Sequence, residues 1–514
     1  MAHAGNAFFQ RFSMPQLWGG LVLLTVLMRL PALLHPRAID DEVIYSVVAN
    51  EMVAGGLPYL DAVERKPPLL FWLFQCIFEL FGTFNWYALH AIGILWVLLS
   101  MYGLYLLGRD LFNRPVGWTA ALLYCIFQPW AYWKNIAFNG EVLMNLPIIW
   151  ALWLCLRPTK ARWRPGVVLA GALLAAGFLL KQPAAIAAVP LGLYFLHPKY
   201  HKESEHSWFY GFVQAALLTM GFFALLAVVT WQLYRQGILE TTYFWTFTHH
   251  DVPHGLTDPV FWIRGGRIGL AFVAACFPMV LAAYWSLQNR WQGWKGRSAA
   301  YFALWTSLIA AFVGTAASGR FYPHYFIQLT PILAILAAPP IARILQGQLD
   351  SGKWWFRPRV WINSLALLAI GFGLSAAAGL WQHRQAEEAG QYILDNSQEE
   401  DKIFVWGQHT MIYLDAKRRP ASRFVACFPL TGYIFGSPLS WDPDFDTSDR
   451  VVEGSWEQLF EDFAKHPPQY FVDQDAARSV AKYPVSDFPE LAQFLQKDYE
   501  LVHKAPKGWI YKRR

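Results

Sequence analysis

The chain has 514 residues, of which 55% are apolar and 17% aromatic, while only 15% are charged. About a quarter of the residues of a soluble domain are charged, so this composition excludes a soluble multi-domain protein and indicates an integral membrane protein. The net charge of +6 does not point to nucleic acid, because inner loops of membrane proteins are enriched in Lys and Arg. The five cysteines are scattered, so neither a disulfide framework nor a CxxC metal site is predicted.

Apolar segments of spanning length recur along most of the chain. The first follows Arg11 and is expected to be retained, because it is longer than a signal peptide and lacks a small-residue cleavage site. In total, about eleven transmembrane helices of about 17 to 25 residues are predicted. They lie near residues 16–34, 85–108, 116–133, 140–156, 166–196 (two shorter spans split at Lys181-Gln182-Pro183), 208–233, 268–287, 299–317, 325–342 and 360–380.

Residues 67–81 are apolar but short for a crossing, so we predict a helix that lies in the membrane interface. With this segment excluded, the basic loops fall on the same side as the N-terminus, and the loop at 157–165 is the most basic of them. Since basic loops face the cytoplasm, the opening loop and the C-terminus are predicted to face outward. The protein is then expected to be multi-pass in the inner, or plasma, membrane, with its active site on the periplasmic or outer side.

The composition changes near residue 383, where Gln, Glu, Asp and Lys reach the frequencies of a soluble protein. We therefore predict a membrane domain, 1–382, containing an outer loop at 35–82, and a small soluble α/β domain, 383–514, outside the membrane. The elements predicted for the small domain are buried strands at Ile403-Phe-Val-Trp406 and Tyr470-Phe-Val-Asp473, amphipathic helices at 455–465 and 489–498, and a hairpin between Tyr499 and Tyr511.

Polar residues at membrane depth or at its edge are costly and usually functional, and here they gather on the predicted outer side. An aspartate beside bases suits a reaction in which a hydroxyl or amine loses its proton as it attacks, while Lys or Arg holds a departing phosphate. Sugar transfer from a lipid phosphate has these requirements. The outer-side residues are Asp40, Asp41, Glu42, Lys66, Glu141, Lys181, His249, His250, His254, Arg264, Arg267, Arg320 and His324.

Each of these candidates also has a structural explanation. The acids at 40–42 suit the N-terminus of an interfacial helix, and Lys66 suits a side chain that extends to the headgroups. Glu141 is equally a second acid of the site or a cap on the span that starts there. The cluster His249-His250-Asp251 with His254 could bind a metal, but an exposed polar loop is favoured, because no register fixes its spacing.

Several motifs together resemble one family. Asp41-Glu42 with Tyr45, then Gly55-Gly56-Leu-Pro58-Tyr59, then Lys66-Pro67-Pro68-Leu69 resemble the opening loop of the polyprenyl-phosphate-sugar-dependent glycosyltransferases of the GT-C superfamily. The most similar groups are the bacterial lipid A aminoarabinose transferases and the protein O-mannosyltransferases. Further matches are Phe138-Asn139-Gly140-Glu141, Lys181-Gln-Pro183, Pro259-Val-Phe261-Trp262 and Arg320-Phe-Tyr-Pro-His324-Tyr325.

This resemblance implies a mainly α, polytopic GT-C fold and a role for each matching residue. Asp41 would be the catalytic carboxylate, acting as base or aligning the acceptor, and Glu42 would bind a metal or a hydrogen-bond partner. The extra Asp40 departs from the family pattern, although the spacing to Tyr45 favours Asp41. The residues expected to bind the lipid phosphate and stabilise it as a leaving group are Lys66, Arg65, Lys181, Arg264, Arg267, Arg320, His324 and Tyr325.

The resemblance implies an inverting transferase that moves a sugar from a polyprenyl-phosphate donor, with undecaprenyl phosphate as the expected carrier, to a lipid, glycan or protein acceptor at the outer face. The donor sugar stays open between aminoarabinose, mannose and another hexose. The sequence assigns no cofactor with certainty, and a divalent metal stays open, with Glu42, His250 and His254 as candidate ligands. Membrane lipids are expected partners and nucleic acid is not. The alternatives are a transporter or flippase of lipid-linked sugars and an inactive scaffold.

Overall fold

The computed structural model describes most of the chain, and the description that follows is confined to those residues. By its internal packing the chain divides into two compact units. The first contains Met1–Leu34, His90–Gln232 and His254–Leu380, and the second contains His35–Leu89, Leu233–Pro253 and Trp381–Arg514. The described residues are 13–35, 40–130, 133–158, 164–204, 207–249, 256–288, 296–349, 353–383, 387–433, 446–477 and 483–514.

Helices make up most of the described chain, as the apolar composition predicts. In chain order they are α1 (Met14–Leu34), α2 (Asp40–Val53), α3 (Pro68–Phe81), α4 (Trp86–Leu111), α5 (Arg114–Phe127), α6 (Gly140–Leu156), α7 (Pro165–Leu180), α8 (Ala188–Leu196), α9 (Pro198–Ser204), α10 (Trp208–Arg235), α11 (Leu239–Tyr243), α12 (Pro259–Ala275), α13 (Phe277–Gln288), α14 (Ser298–Ala316), α15 (Thr330–Leu345), α16 (Pro358–His383), α17 (Glu387–Asn396), α18 (Met411–Asp415), α19 (Phe428–Thr431), α20 (Ser455–Lys465) and α21 (Pro489–Asp498). The longer 3₁₀ segments are Trp133–Ile136, Gln182–Ala187 and Pro323–Leu329, and one π-helical turn covers Phe244–Thr248.

Among the described residues, six helices are long and apolar enough to cross a membrane. Helices α12 and α13 are bent by 88° relative to one another, and the number rises to seven if this pair counts as one span. The six spans are Met14–Leu34, Trp86–Leu111, Trp208–Arg235, Ser298–Ala316, Pro323–Leu345 and Pro358–Trp381. The remaining predicted spans form shorter helices, namely α5, α6, α7 and the segment Gln182–Leu196. The mainly α, membrane-spanning class is confirmed, whereas the count of about eleven spans stays a prediction.

The core of the first unit is built around α15, all but one of whose residues are buried. Its sequence is rich in Ala, Ile and Leu, and it packs against α5, α13 and α14. A helix that is apolar on every side belongs in a protein interior or in lipid. Here the neighbouring helices surround it, and they fix the 3₁₀ segment Pro323–Leu329 that leads into its N-terminus.

The second unit contains a four-stranded sheet of order β1-β2-β4-β3, in which β1 and β2 are parallel and β4 is antiparallel to both of its neighbours. The strands predicted at 403–406 and 470–473 are confirmed and fully buried. The helices predicted at 455–465 and 489–498 and the closing hairpin are also confirmed. The strand bounds are β1 (Ile403–Trp406), β2 (Tyr470–Asp473), β3 (Tyr499–Ala505) and β4 (Gly508–Arg513).

Candidate functional site

The acidic start of the opening loop lies in the first turn of α2, which begins at Asp40. Asp41 is half-buried, and Glu42 is fully buried. The hydroxyl of Ser46 donates to the carbonyl of Glu42 at 2.7 Å. The N-terminus of a helix favours negative charge, so this position suits acidic side chains.

A tight turn follows α2 and directs the chain toward Lys66. Gly55, at φ +95°, ends the helix in a conformation that favours glycine. Tyr59 has φ +67°, and its N–H donates to the carbonyl of Ala62 at 2.9 Å. The phenol of Tyr59 is fully buried and donates to the carbonyl of Lys66 at 2.7 Å. Burial raises the pKa of Tyr59 well above its usual value, so the phenol remains a donor.

Lys66 is held by an acid two residues before it. Its N–H donates to Glu64 Oε2 at 2.8 Å, and its Nζ lies 3.7 Å from Glu64 Oε1. The Lys66 ammonium also lies 5.6 Å from the ring centre of Tyr45 on α2. Pro67 and Pro68 follow, and α3 begins at Pro68, because proline is well suited to the first position of a helix. The lysine is thus fixed at the start of α3.

The first unit contains a separate cluster around Lys181. This lysine lies at the break between α7 and the 3₁₀ segment Gln182–Ala187, as the Lys-Gln-Pro sequence predicts. Its Nζ forms an ion pair with Glu141 Oε1, and the exposed side-chain fractions are 10% and 1%. The same ammonium lies 4.4 Å from the ring centre of Tyr325. A buried cation is thus neutralised by one acid and faced by one aromatic ring.

The start of α6 is built to admit this lysine. The cap of α6 is Asn139, whose side chain accepts from the N–H of Val142 at 3.3 Å, so the alternative that Glu141 merely caps the span is wrong. Asparagine is among the residues preferred at this position. A Cβ at Gly140 would lie 2.9 Å from Lys181 Cδ, so glycine leaves the lysine side chain its path across the helix N-terminus.

Aromatic side chains extend the cluster from Lys181 to α12. His324 Nε2 lies 3.9 Å from Glu141 Oε1, and its ring stacks on Tyr322 with centres 5.5 Å apart and planes 10° from parallel. Tyr325 contacts both rings. The guanidinium of Arg264 lies 5.7 Å from the ring centre of Tyr322. Glu141, Lys181, Arg264, His324 and Tyr325 are therefore brought together within one unit.

The remaining predicted site residues lie elsewhere in the two units. Arg267 is exposed on α12, and Arg320 is half-buried ahead of the 3₁₀ segment Pro323–Leu329. Asp41, Glu42, Arg65 and Lys66 belong to the second unit, so the predicted residues form two groups.

The predicted histidine cluster falls almost entirely outside the described part of the chain. His250 and His254 are not among the described residues, while the ring of His249 stacks on Phe428 with centres 6.3 Å apart. Within the described ranges, no group of three His, Cys, Asp or Glu side chains is arranged to hold a metal ion. Metal dependence therefore stays a prediction.

The sequence did not predict Glu64 and Tyr322 as members of these groups, nor the buried charge of Arg29, which lies outside them. Glu64 holds Lys66, and an acid two residues before a loop lysine is the signal that could have identified it. Tyr322 links His324 to Arg264. Arg29, a lone charge within the first span, is buried and donates to the side chain of Gln128 at 3.2 Å and to the carbonyl of Ile136 at 2.6 Å. The signal that could have identified Arg29 is a charged residue inside a membrane span.

The two groups share a chemical character suited to an anion. Each contains a lysine whose counter-charge is a buried carboxylate, and each presents an aromatic ring to the ammonium. Lysine and arginine at close range stabilise negative charge that develops on a leaving phosphate. A carboxylate can act as a proton acceptor, and the second unit also contains Asp41 and Glu42.

Part of the chain matches a known family. Residues 65–231 match the model of the family described as dolichyl-phosphate-mannose-protein mannosyltransferase. No curated protein matches the chain in sequence.

Solved structures match over nearly the whole chain. ArnT from Cupriavidus metallidurans in the apo state has a TM-score of 0.58 at 16% identity, covering 96% of this chain and 98% of that chain. ArnT bound to undecaprenyl phosphate gives 0.59 at 16% identity, with coverages of 96% and 97%. The archaeal oligosaccharyltransferase AglB from Archaeoglobus fulgidus, in complex with an inhibitory peptide and a dolichol-phosphate, gives 0.52 at 13% identity, with coverages of 99% and 75%.

The chain therefore has the fold of these solved structures. The resemblance inferred from the opening loop, to transferases similar to the aminoarabinose transferases and the protein O-mannosyltransferases, is confirmed.

Proposed function

We propose that this protein is an inverting glycosyltransferase that takes a sugar from a polyprenyl-phosphate donor and passes it to an acceptor at the outer face of the membrane. The observation that carries the proposal is the buried Glu141–Lys181 pair, with Tyr325 over the ammonium. A buried lysine in a membrane-spanning unit is costly. Binding an anionic lipid headgroup accounts for its presence.

In each unit, cationic residues form a group that suits a lipid phosphate. In the first unit these are Lys181 and Arg264, supported by Tyr325 and His324, and in the second unit Lys66 is held by Glu64. The solved ArnT complex with undecaprenyl phosphate supports the same carrier for this chain. Arg65, Arg267 and Arg320 add positive charge that attracts the donor headgroup.

The transfer step is a direct displacement at the anomeric carbon. The acceptor oxygen or nitrogen forms a bond to that carbon as the bond from the carbon to the phosphate oxygen breaks. The polyprenyl phosphate leaves with the electron pair, and its charge is stabilised by a cationic side chain, for which Lys66 in the second unit and Lys181 in the first are the candidates. The acceptor proton passes to the carboxylate of Asp41. If Asp41 instead only aligns the acceptor, the departing phosphate takes that proton.

The acceptor is a lipid, a glycan or a protein group, and the donor sugar is a pentose or a hexose. We propose that the opening loop and residues 383–514 lie on the periplasmic side of the inner membrane, as the distribution of basic loops favours. In this orientation, an acceptor at the membrane surface reaches the acids of α2 from the periplasmic side.

The proposal is tested by transfer of labelled sugar from a panel of polyprenyl-phosphate sugars in membranes that contain the wild-type protein, with and without a chelator. Transfer from one donor is expected. Loss of this transfer in the presence of the chelator would show that the reaction requires a divalent metal. Equilibration of labelled donor between the leaflets without any product would instead support the flippase alternative. Absence of both would overturn the proposal for the donors in the panel.

Binding of undecaprenyl phosphate separates the donor site from the transfer step. Lys66→Ala is expected to weaken binding of this lipid to the purified protein. The control is Lys199→Ala, which changes a lysine at the start of α9 that the proposal does not use. Equal binding by wild type and Lys66→Ala would contradict the role given to Lys66.

A further inference from the structure

The opening loop is attached to the C-terminal residues of the second unit at three points, and the proposed transfer step uses none of these contacts. The first is Glu51 on α2, which is 7% exposed. Its Oε1 lies 3.7 Å from Lys402 Nζ and 3.5 Å from Arg419 Nη1. Helix α2 also packs against α18. The helix that carries Asp41 and Glu42 is thus fixed by a carboxylate placed between two cations.

The second point is a backbone hydrogen bond close to Lys66. The N–H of Val63 donates to the carbonyl of Arg423 at 2.8 Å. Arg423 is itself held by Asp462, which accepts from its Nε at 3.0 Å, its Nη2 at 2.8 Å and its own N–H at 2.9 Å. Charge-assisted bonds from a guanidinium fork are strong and directional. These bonds therefore fix the position of the Arg423 carbonyl, which accepts the N–H of Val63.

The third point involves the residue next to Lys66. The guanidinium of Arg65 lies 4.7 Å from the ring centre of Phe428, which is buried at the start of α19. Trp245 packs edge-on against the same ring. Arginine over an aromatic face is stabilised by the ring quadrupole. Arg65 is thereby engaged by the C-terminal part of the unit, while Lys66 is left to face Tyr45.

We propose that the C-terminal residues position the opening loop for sugar transfer, with Glu51, Arg423 and Asp462 as positioning residues that act through Asp41 and Lys66. This inference rests on the proposed function. The three attachments lie between the acids of α2 and the start of α3, so they fix the separation of the carboxylates from the lysine. A misplacement of about 1 Å can cost about a hundredfold in rate, which makes such an attachment consequential.

The experiment combines hydrogen exchange of the opening loop with transfer kinetics of the full-length protein. Glu51→Gln and Asp462→Asn are each expected to speed amide exchange in residues 57–66. They are also expected to lower kcat by about tenfold to a hundredfold, with the KM for the donor nearly unchanged. Arg423→Lys keeps the positive charge but loses the two-pronged guanidinium contact with Asp462. Its amide exchange rate and its kcat should therefore lie between those of wild type and Asp462→Asn. The matched control, Glu388→Gln, removes an exposed ion pair with His503 and should change neither quantity.

The outcomes separate this proposal from the function on which it rests. Unchanged loop exchange in Glu51→Gln and in Asp462→Asn would overturn the attachment. Faster exchange with unaltered kcat, or the same loss of kcat in Glu388→Gln, would overturn the positioning role alone. A wild-type protein that transfers no sugar from any donor would overturn the proposed function, and the positioning role with it. If Asp462→Asn does not fold, the exchange rates and kcat values of Arg423→Lys and Glu51→Gln test the attachment and the positioning role.

Discussion

Lys181 and Glu141 come from different elements of the first unit and form an ion pair whose two side chains are 10% and 1% exposed. Glu141 lies in the first turn of α6, whereas Lys181 lies where α7 breaks into a 3₁₀ segment. Two buried charges are costly to desolvate, and a well-packed apolar pair is often no less stable. The pair therefore points to a requirement of function, namely a cation ready for an anionic ligand.

Removing one partner of this pair is expected to destabilise the protein, because an uncompensated charge stays buried. Glu141→Gln should cost about 3–5 kcal/mol of unfolding free energy, measured by thermal unfolding of the detergent-solubilised protein. The double variant Glu141→Gln with Lys181→Met should recover most of that loss but bind undecaprenyl phosphate weakly. A double variant that binds the lipid as tightly as wild type would contradict the role of Lys181.

Gly140, the first residue of α6, is expected to be important for function. Alanine is normally the better helix former of the two. At Gly140 the added Cβ would meet the Lys181 side chain at 2.9 Å, so Gly140→Ala should weaken lipid-phosphate binding severalfold. Gly192→Ala on α8 has open space at the Cβ position and serves as the control. Equal binding by the two variants would argue against a constrained path for Lys181.

The phenol of Tyr59 is expected to hold Lys66 in place. Tyr59→Phe leaves the buried ring but removes the donor to the Lys66 carbonyl. Loss of one buried hydrogen bond costs about 1–3 kcal/mol, and the greater mobility of Lys66 should raise the KM for the donor. Transfer kinetics of Tyr59→Phe against Tyr87→Phe, an exposed tyrosine on α4, measure this effect. An unchanged KM would show that Lys66 is placed by Glu64 and Tyr45 alone.

The C-terminal sheet is expected to lose stability as the pH rises through the range in which Asp473 ionises. Burial raises the pKa of Asp473 at the end of β2 to about 6. In the unfolded chain its pKa is about 4, so the folded state favours the protonated acid. Stability is then complete below about pH 4 and falls by up to about 3 kcal/mol as the pH passes about 6.

Asp473→Asn tests this pH dependence, because its side-chain oxygen can still accept the N–H of Ala476. Hydrogen exchange in β2 between pH 5 and pH 8 should be less pH-dependent in Asp473→Asn than in wild type, after correction for the intrinsic exchange rate. Asp449→Asn, at a largely exposed position, should behave as wild type. A wild-type stability that stays constant from pH 5 to pH 8 would contradict the raised pKa.

Local patterns were sufficient to predict the small sheet and its helices. Short apolar runs beside polar residues delimited Ile403–Trp406 and Tyr470–Asp473, because each strand is short and wholly buried. Parallel pairing of these two strands, with β4 beside β2, depends on contacts between distant parts of the chain. No local pattern reports on such contacts.

The candidate site shows the same limit. The acids of α2, the lysine after the turn and the break at Lys181 are local features, and they could be predicted. The partner of Lys181 could not, because Glu141 lies forty residues earlier and its pairing depends on the packing of α6 against α7. For Glu141, spacing alone could not distinguish a helix cap from a second acid of the site. The structure gives the cap to Asn139, and the role of Glu141 as a second acid stays a prediction.

The most direct test of the central claim is transfer of labelled sugar from a polyprenyl-phosphate donor by wild type, Asp41→Asn and Asp40→Asn. The two variants make the same chemical change at neighbouring positions of one helix turn, so each controls for the other. We predict turnover by wild type, near-complete loss in Asp41→Asn and retention in Asp40→Asn. Turnover by Asp41→Asn equal to that of wild type would contradict the account.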